Sequence, residues 1–138
     1  MSEPGTGVFP FPIRFADIIF VHHVPDPNGR NAKTRRVVVL TPDTALRAGF
    51  PIVVAAVTGT LPTPLGADYV LLPYKNPPGT RHPKTGLTKK AAVLCTWIVL
   101  VDRKNVAGRS GFVPPAPMLF IHSKTAEPAG AIGGWGRG

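Results

Sequence analysis

The chain has 138 residues, enough for one domain with its own hydrophobic core. Seventeen prolines and fifteen glycines argue against long helices and favour short strands joined by turns. A formal charge of +9 favours a polyanionic partner, with nucleic acid first and an anionic membrane surface or an acidic protein second. The single cysteine excludes an intramolecular disulfide, and no Cys-x-x-Cys or His-Glu-x-x-His motif points to a zinc site.

The first fifteen residues, MSEPGTGVFPFPIRF, are rich in glycine and proline and predict a loose arm before the folded domain. They contain no basic stretch followed by an apolar segment, as a secretory signal would. No apolar run of the chain approaches the ~20 residues that a membrane span needs. A cytoplasmic location without a membrane partner is therefore the expectation.

Five segments have the composition of strands. The first, ADIIFVHHV, is apolar on both faces at its start and ends in His22 and His23, which we expect at the rim of the fold. The last is predicted to bend or bulge near Trp97. The five segments cover residues 16–24, 36–40, 51–57, 67–72 and 91–101. Strands at this spacing predict a mainly β fold, a small barrel of about residues 16–113.

Two short helices and a tail complete the single predicted domain, residues 1–138. Thr41-Pro42-Asp43 has the composition of a helix start, with a hydroxyl cap, a proline at the first helical position and an acid in the first turn. Gly49 would end that helix. A second short helix is predicted around residues 117–124. The Gly-rich tail, about residues 125–138, is predicted to be flexible, with no packing partner for Trp135 in its own chain.

The sequence contains, in this order, ADIIFV (residues 16–21), RRVVVLTPD (35–43), IVVAAVTG (52–59) and GLTKKAAVLCTWIVLVD (86–102). Their order and spacing resemble the MazF/PemK family of bacterial toxins. The resemblance covers about residues 16–111 and implies an SH3-like barrel with a short helix after the second strand. It also implies a homodimeric toxin that cuts single-stranded RNA, needs neither metal nor cofactor, and is silenced by a cognate antitoxin protein.

The resemblance places Arg35 on the family's arginine and Thr58 on its threonine, which makes these two the main catalytic candidates. Metal-free cleavage needs charge stabilisation at the phosphate, which the planar fork of arginine provides, and a base for the 2′-hydroxyl. Asp26 and His23 are the weaker catalytic candidates, with His22 and His82 as alternative bases. Alternation along the strand predicts that Arg35 and Arg36 point to opposite faces. The predicted RNA-binding residues are Arg30, Lys33, Arg36, Lys75, Arg81, His82 and Lys84.

Three functional hypotheses follow from these residues. The first is the ribonuclease toxin. The second is a non-catalytic barrel of the same family that binds nucleic acid or a protein, and it is favoured because Thr96 and Trp97 stand where the family carries Asp-Gln. The third is a gyrase-poisoning toxin, for which the Gly-rich tail offers no recognisable segment. Tyr74 is a candidate for base stacking, and Trp97 is expected in the core or at a dimer interface.

Overall fold

The computed structural model describes residues 12–74 and 80–136. This part of the chain forms one six-stranded antiparallel sheet and two α-helices. The strands are β1 (Asp17–Val24), β2 (Lys33–Val39), β3 (Ile52–Thr58), β4 (Tyr69–Leu71), β5 (Ala92–Val101) and β6 (Val106–Phe112). The helices are α1 (Asp43–Arg47), between β2 and β3, and α2 (Pro115–Gly133), after β6.

The strand order is β4-β5-β3-β2-β1-β6, so β4 and β6 are edge strands and the sheet is not closed in the described residues. The predicted mainly β fold is confirmed. The five predicted strands are all present, and the structure adds β6, which pairs with β1. Neither helix of the described part is long and apolar enough to cross a bilayer.

Alternation along the strands divides the buried side chains between two clusters, one on each face of the sheet. Ile18 of β1 and Val38 of β2 lie in the cluster that α2 covers. Ile19 and Val37, their immediate neighbours, lie in the cluster on the opposite face. Because the central strands are buried on both sides, they are continuous runs of β-branched residues rather than alternating ones.

Strand β5 contains the predicted bulge. Val57 of β3 pairs with Val93, while Ala55 pairs with Ile98, so two steps along β3 correspond to five steps along β5. The bulge places the indole of Trp97 in the second cluster with 8% of its surface exposed, and its Nε1 donates to the Pro25 carbonyl at 3.0 Å. The expected core position of Trp97 is confirmed, and it fastens the β1–β2 loop to the sheet.

The start of α1 differs from the prediction in one respect. The helix forms where expected, but Pro42 is its N-cap residue and no side chain caps it. The Thr41 hydroxyl instead donates to the Pro51 carbonyl at 2.9 Å and accepts from the Val53 N–H at 2.8 Å. Thr41 is fully buried, so its hydroxyl must be paired inside the protein, and it joins β2 to the start of β3.

The flexible tail predicted from residue 125 is wrong, because α2 continues to Gly133 and the second helix is not short. Its buried residues include Ile121, Thr125 and Ala129, whose spacing of four is one face of a helix. This face packs against β3, β4 and β5. Tertiary packing thus outweighs the unfavourable intrinsic propensities of Pro128 and the glycines around it.

Trp135 also has a partner in its own chain. Gly134 ends α2 in the left-handed conformation (φ 88°), and the N–H groups of Gly134 and Gly136 both donate to the Gly130 carbonyl. This turn folds the indole back onto α2, where it packs against the helix-covered cluster. A Cβ on Gly133 would overlap the Trp135 ring, so the glycines that suggested a loose tail are what lets the tryptophan pack.

Candidate nucleic-acid interface

Arg35 and Arg36 point to opposite faces of β2, as alternation predicted. Arg35 shares its face with Val37, in the cluster opposite α2, and its guanidinium carbon lies 5.0 Å from the centroid of a Trp97 ring. Arg36 shares its face with Val38, and its guanidinium carbon lies 4.9 Å from the Phe20 ring centroid. The two adjacent cations therefore contact different aromatic rings, although both line the groove described below.

Arg35 is held in place by the loop between β1 and β2. Its Nε donates to the Val24 carbonyl at 2.8 Å, and its Nη2 donates to the Asn31 carbonyl at 2.8 Å. A cation–π contact with the Trp97 ring adds a third contact to the guanidinium. Two of the five N–H donors of an arginine are used in this way, so three remain for an anion. Arg35 is thus a partly committed but still competent phosphate ligand.

The carboxylate of Asp26 organises the same loop. Its Oδ1 accepts from the backbone N–H groups of Asn28 and Arg30, each at 2.9 Å, and its Oδ2 accepts from Asn31 Nδ2 at 2.9 Å. The hydrogen bond from Arg30 is the main cause that lowers the pKa of Asp26. The hydrogen bonds from Asn31 and Asn28 and the charge of Arg35 lower it too, against desolvation. An ionised carboxylate with both oxygens engaged is a weak proton acceptor.

His22 and His23 lie in a β-bulge at the end of β1. The register of β1 and β2 passes from Val21–Arg35 to Val24–Lys33, so the two histidines stand beside Arg35. His22 Nδ1 is 2.6 Å from the Thr34 hydroxyl. His23 is exposed and adopts the left-handed conformation (φ 63°), which is uncommon for a residue other than glycine. Strand pairing therefore places the backbone of both histidines opposite the Lys33–Arg35 stretch of β2, while Asp26 in the following loop is the predicted base whose carboxylate feels the charge of Arg35.

Thr58 ends β3 on the same face of the sheet as Arg35. The β2–β3 register runs Val39–Val54, Val38–Ala55 and Val37–Ala56, and one further two-residue step would set Arg35 opposite Thr58. The pairing stops before that step. The Thr58 hydroxyl instead contacts its own turn, accepting from the Thr60 N–H at 3.1 Å and lying 3.4 Å from the Thr60 carbonyl. No hydrogen bond joins the two main catalytic candidates, and Arg35 lines the groove described next whereas Thr58 is not among its lining residues.

A groove of about 270 Å³ opens at the start of β2, between that strand and the segment before β5. We call it the basic groove, because four of its lining residues are cations. Its lining residues are Arg35, Arg36, Val57, Gly59, Leu87, Thr88, Lys89, Lys90 and Ala91. Lys89 and Lys90 were not in the predicted RNA-binding set. Their signal was their position, directly before the buried alanines that lead into β5.

His82 closes a turn in the segment that precedes the basic groove. Its Nδ1 accepts from the backbone N–H groups of Lys84 at 3.1 Å and Thr85 at 3.3 Å. A nitrogen that accepts hydrogen bonds carries no proton, so the ring holds its hydrogen on Nε2. That arrangement suits a donor to phosphate rather than a general base. Thr85 is buried, and its hydroxyl donates to the Pro73 carbonyl at 2.8 Å, which anchors the turn.

The remaining predicted site residues are dispersed. Arg30 and Lys33 are exposed in and after the β1–β2 loop, and Lys84 is exposed beside His82. Lys75 lies outside the described residues. Tyr74 packs against the helix-covered cluster, which leaves it partly buried. Among residues 12–74 and 80–136, no three His, Cys, Asp or Glu side chains are grouped closely enough to hold a metal ion.

No protein-family model and no curated protein sequence matches this chain. Solved structures do match it. MazF from Deinococcus radiodurans superposes with a TM-score of 0.62 at 16% identity, over 90% of this chain and 98% of that one. The Mycobacterium tuberculosis toxin MazF-mt6 gives a TM-score of 0.57 at 17% identity, over 83% and 93%.

A mycobacterial endoribonuclease in complex with its cognate antitoxin gives a TM-score of 0.58 at 19% identity, over 84% of this chain and 92% of that one. Sequence identity is low in all three matches, yet they cover 83–90% of this chain and 92–98% of the other chains. Similarity at this level defines the fold. The described chain therefore has the fold of the MazF toxins.

Proposed function

We propose that this chain is the toxin of a toxin–antitoxin system, a cytoplasmic endoribonuclease that cuts single-stranded RNA without a metal ion. The observation that carries the proposal is the basic groove, set at the end of the central strands in a MazF fold. In that groove, cations from β2 meet cations from the segment before β5. A cluster of this kind attracts the RNA backbone and orients it.

The chemistry requires three tasks at one phosphodiester. The 2′-hydroxyl attacks phosphorus and loses its proton to a base, the P–O5′ bond breaks, and the 5′-oxygen takes up a proton. The products carry a 2′,3′-cyclic phosphate and a 5′-hydroxyl. Arg35, with three N–H donors left, is assigned to stabilise the charge on the phosphate.

We assign the proton acceptor to His23. The other candidates already make hydrogen bonds within the protein. The Asp26 carboxylate accepts from Asn31, His82 Nδ1 accepts from the Lys84 N–H, and His22 Nδ1 contacts the Thr34 hydroxyl. His23 is exposed at the bulge of β1, opposite the stretch of β2 that carries Arg35, and histidine is the side chain that most often serves as a general base. Thr58 is assigned to position the RNA from the neighbouring strand end.

The expected partners follow from the same surfaces. An antitoxin with acidic and apolar side chains would neutralise the basic groove. It would also cover the exposed Leu119 and Phe120 of α2, which are 72% and 63% exposed. A homodimer is proposed from the resemblance. The MazF structure and the antitoxin complex described above support this assignment by their fold alone.

A second candidate function is RNA binding without cleavage. It is favoured because the predicted catalytic side chains make structural hydrogen bonds. Arg35 and Asp26 bond to Asn31 in the β1–β2 loop, and Thr58 bonds to Thr60 in its own turn. In this case the basic groove would still bind RNA, with an affinity that falls steeply with salt.

One assay separates the two candidates. The purified protein is incubated with a long single-stranded RNA in chelator, beside Arg35→Ala, Thr58→Ala and His23→Gln, with Arg47→Ala on α1 as a charge-matched control at the other end of β2. A ribonuclease gives discrete cuts that Arg35→Ala and His23→Gln abolish, Thr58→Ala weakens and Arg47→Ala retains. Salt-sensitive RNA binding without cuts in any protein would establish the binding module instead.

Thermal unfolding of each variant controls for folding, because Arg35 also holds the β1–β2 loop. Arg35→Lys is a second variant that keeps the charge but not the planar fork. Cleavage lost in Arg35→Lys at an unchanged melting temperature would point to the bidentate phosphate contact rather than to the loop.

A further inference from the structure

Arg36 is a cation held rigidly on the face of β2 away from Arg35. It packs on Phe20, its register partner in β1, with 4.9 Å from the guanidinium carbon to the ring centroid. Its Nε lies 3.3 Å from Ser110 Oγ. The Ser110 hydroxyl donates to the Thr85 carbonyl at 2.8 Å, so its oxygen is the acceptor for Arg36. The guanidinium is therefore fixed before any ligand arrives.

The segment that carries Arg81 is hydrogen-bonded to β6, the strand that contains Ser110. The Phe112 N–H of β6 donates to the Lys84 carbonyl at 2.8 Å, and Ser110 of β6 holds Thr85. A Cβ on Gly111 would overlap the backbone of Lys84 and Thr85, so a glycine is needed for this close approach. The turn that follows Arg81 is thereby held beside Ser110, the hydrogen-bond partner of Arg36.

The two guanidinium groups have no acidic partner in the described part of the chain. The ion pairs there join Lys104 to Asp102 and Arg109 to Asp17. No described residue accepts a hydrogen bond from the Nη atoms of Arg36. Burial lowers the pKa of Arg36, and the positive charge of Arg81 lowers it further. Two like charges, one of them partly buried, repel each other without an anion, and an anion placed between them would remove the repulsion.

We propose that Arg36 and Arg81 together bind one phosphate group of single-stranded RNA, at a second subsite separate from Arg35. The planar fork of each guanidinium can bind phosphate oxygens bidentately. Lys89 and Lys90 line the groove beside Arg36 and would carry the backbone onward. The identity of the ligand as RNA rests on the proposed function, whereas the phosphate chemistry rests on the two arginines.

The test measures RNA binding against salt for Arg36→Gln, Arg81→Gln and the double variant. Arg47→Gln, on exposed α1, is the control that removes the same charge elsewhere. For single strands, the slope of log affinity against log salt changes by about 0.7 for each phosphate contact. Each single variant should reduce the slope by about 0.7, and Arg47→Gln should leave it unchanged. Arg81 is exposed, so its variant is expected to fold normally.

The double variant tests whether one phosphate is shared. If the bound phosphate needs both guanidinium groups, losing either one releases it and the double variant also loses only about 0.7, whereas two separate contacts would cost about 1.4. A loss near 1.4 would overturn the shared site. An unchanged slope in both single variants, or an equal loss in Arg47→Gln, would overturn the assignment altogether.

A second arm uses inorganic phosphate and does not depend on RNA. The melting temperature of each protein is compared in sodium phosphate and in sodium chloride at equal ionic strength, so that the general effect of phosphate on stability is common to all. The rise should be larger for the natural protein and Arg47→Gln than for the two site variants. Equal rises in all four would refute the phosphate site. If the melting temperatures follow the predicted order but the protein binds no RNA, the phosphate site stands and the proposed function is refuted.

Discussion

The stability of α2 can be tested by one substitution at two positions of the same helix. Ala129 is 1% exposed in the helix-covered cluster, while Ala131, two residues later, is exposed. Changing either alanine to aspartate carries the same helix-propensity cost of about 0.7 kcal/mol. At Ala129 it also buries a charge without a partner, a cost on the order of 3–5 kcal/mol.

The magnitude translates into a melting temperature. For a chain of this length each kcal/mol corresponds to roughly 3–4 °C, so Ala129→Asp should melt about 9–20 °C below Ala131→Asp. The negative end of the helix dipole disfavours an acid near the C-terminus, more so at Ala131, which works against the predicted difference. Thermal unfolding followed by circular dichroism measures both variants. Equal melting temperatures would mean that the helix does not pack beyond residue 125, and the reasoning would be refuted.

Two further predictions concern titratable groups. Burial is the main cause that raises the pKa of Cys95 to about 11, so at pH 8 roughly a thousandth of this cysteine is thiolate. Iodoacetamide should therefore label Cys95 only after unfolding. Rapid labelling of the folded protein would contradict its burial. Because folding lowers the pKa of Asp26 from its ordinary 3.8, the stabilisation it gives is complete above that value and is lost as the pH falls below it. Asp26→Asn should lack this acid-side loss, and an identical pH profile of unfolding in both proteins would argue against the loop contacts.

The central strands were predictable because their chemistry is local. Runs such as VVVL and IVVAAV have no stable alternative to burial on both faces of a sheet, and alternation alone separated Arg35 from Arg36. The bulge in β5 was predictable from the length of the segment and from Trp97 within it. These features depend on period and composition, which a single sequence carries.

Strand β6 and the end of α2 were not predictable in the same way. VAGRSGF has two glycines and little apolar surface, and it is a strand because β1 pairs with it and because Gly111 admits the turn at Lys84. In α2, Pro128 and the glycines oppose a helix locally, and the packing of Ala129 and Trp135 reverses that preference. Both outcomes are decided by residues distant in sequence.

The candidate site was predictable in its residue types and not in its connections. Alternation and the family resemblance identified Arg35, Arg36 and Thr58. The hydrogen bonds that commit Arg35 to Asn31 and Thr58 to Thr60 belong to particular loop conformations, which composition does not specify. The position of Lys89 and Lys90 in the basic groove was not predictable for the same reason, since only the folded segment brings them close to β2.

The most direct test of the ribonuclease proposal is the chemistry of the newly formed 5′ ends. Attack by the 2′-hydroxyl leaves a 5′-hydroxyl on each downstream fragment, which polynucleotide kinase labels without prior dephosphorylation. We expect fragments formed in chelator to be labelled directly, and we expect none to form with Arg35→Ala. Fragments that accept label only after phosphatase treatment, or an RNA that stays intact with the natural protein, would contradict it.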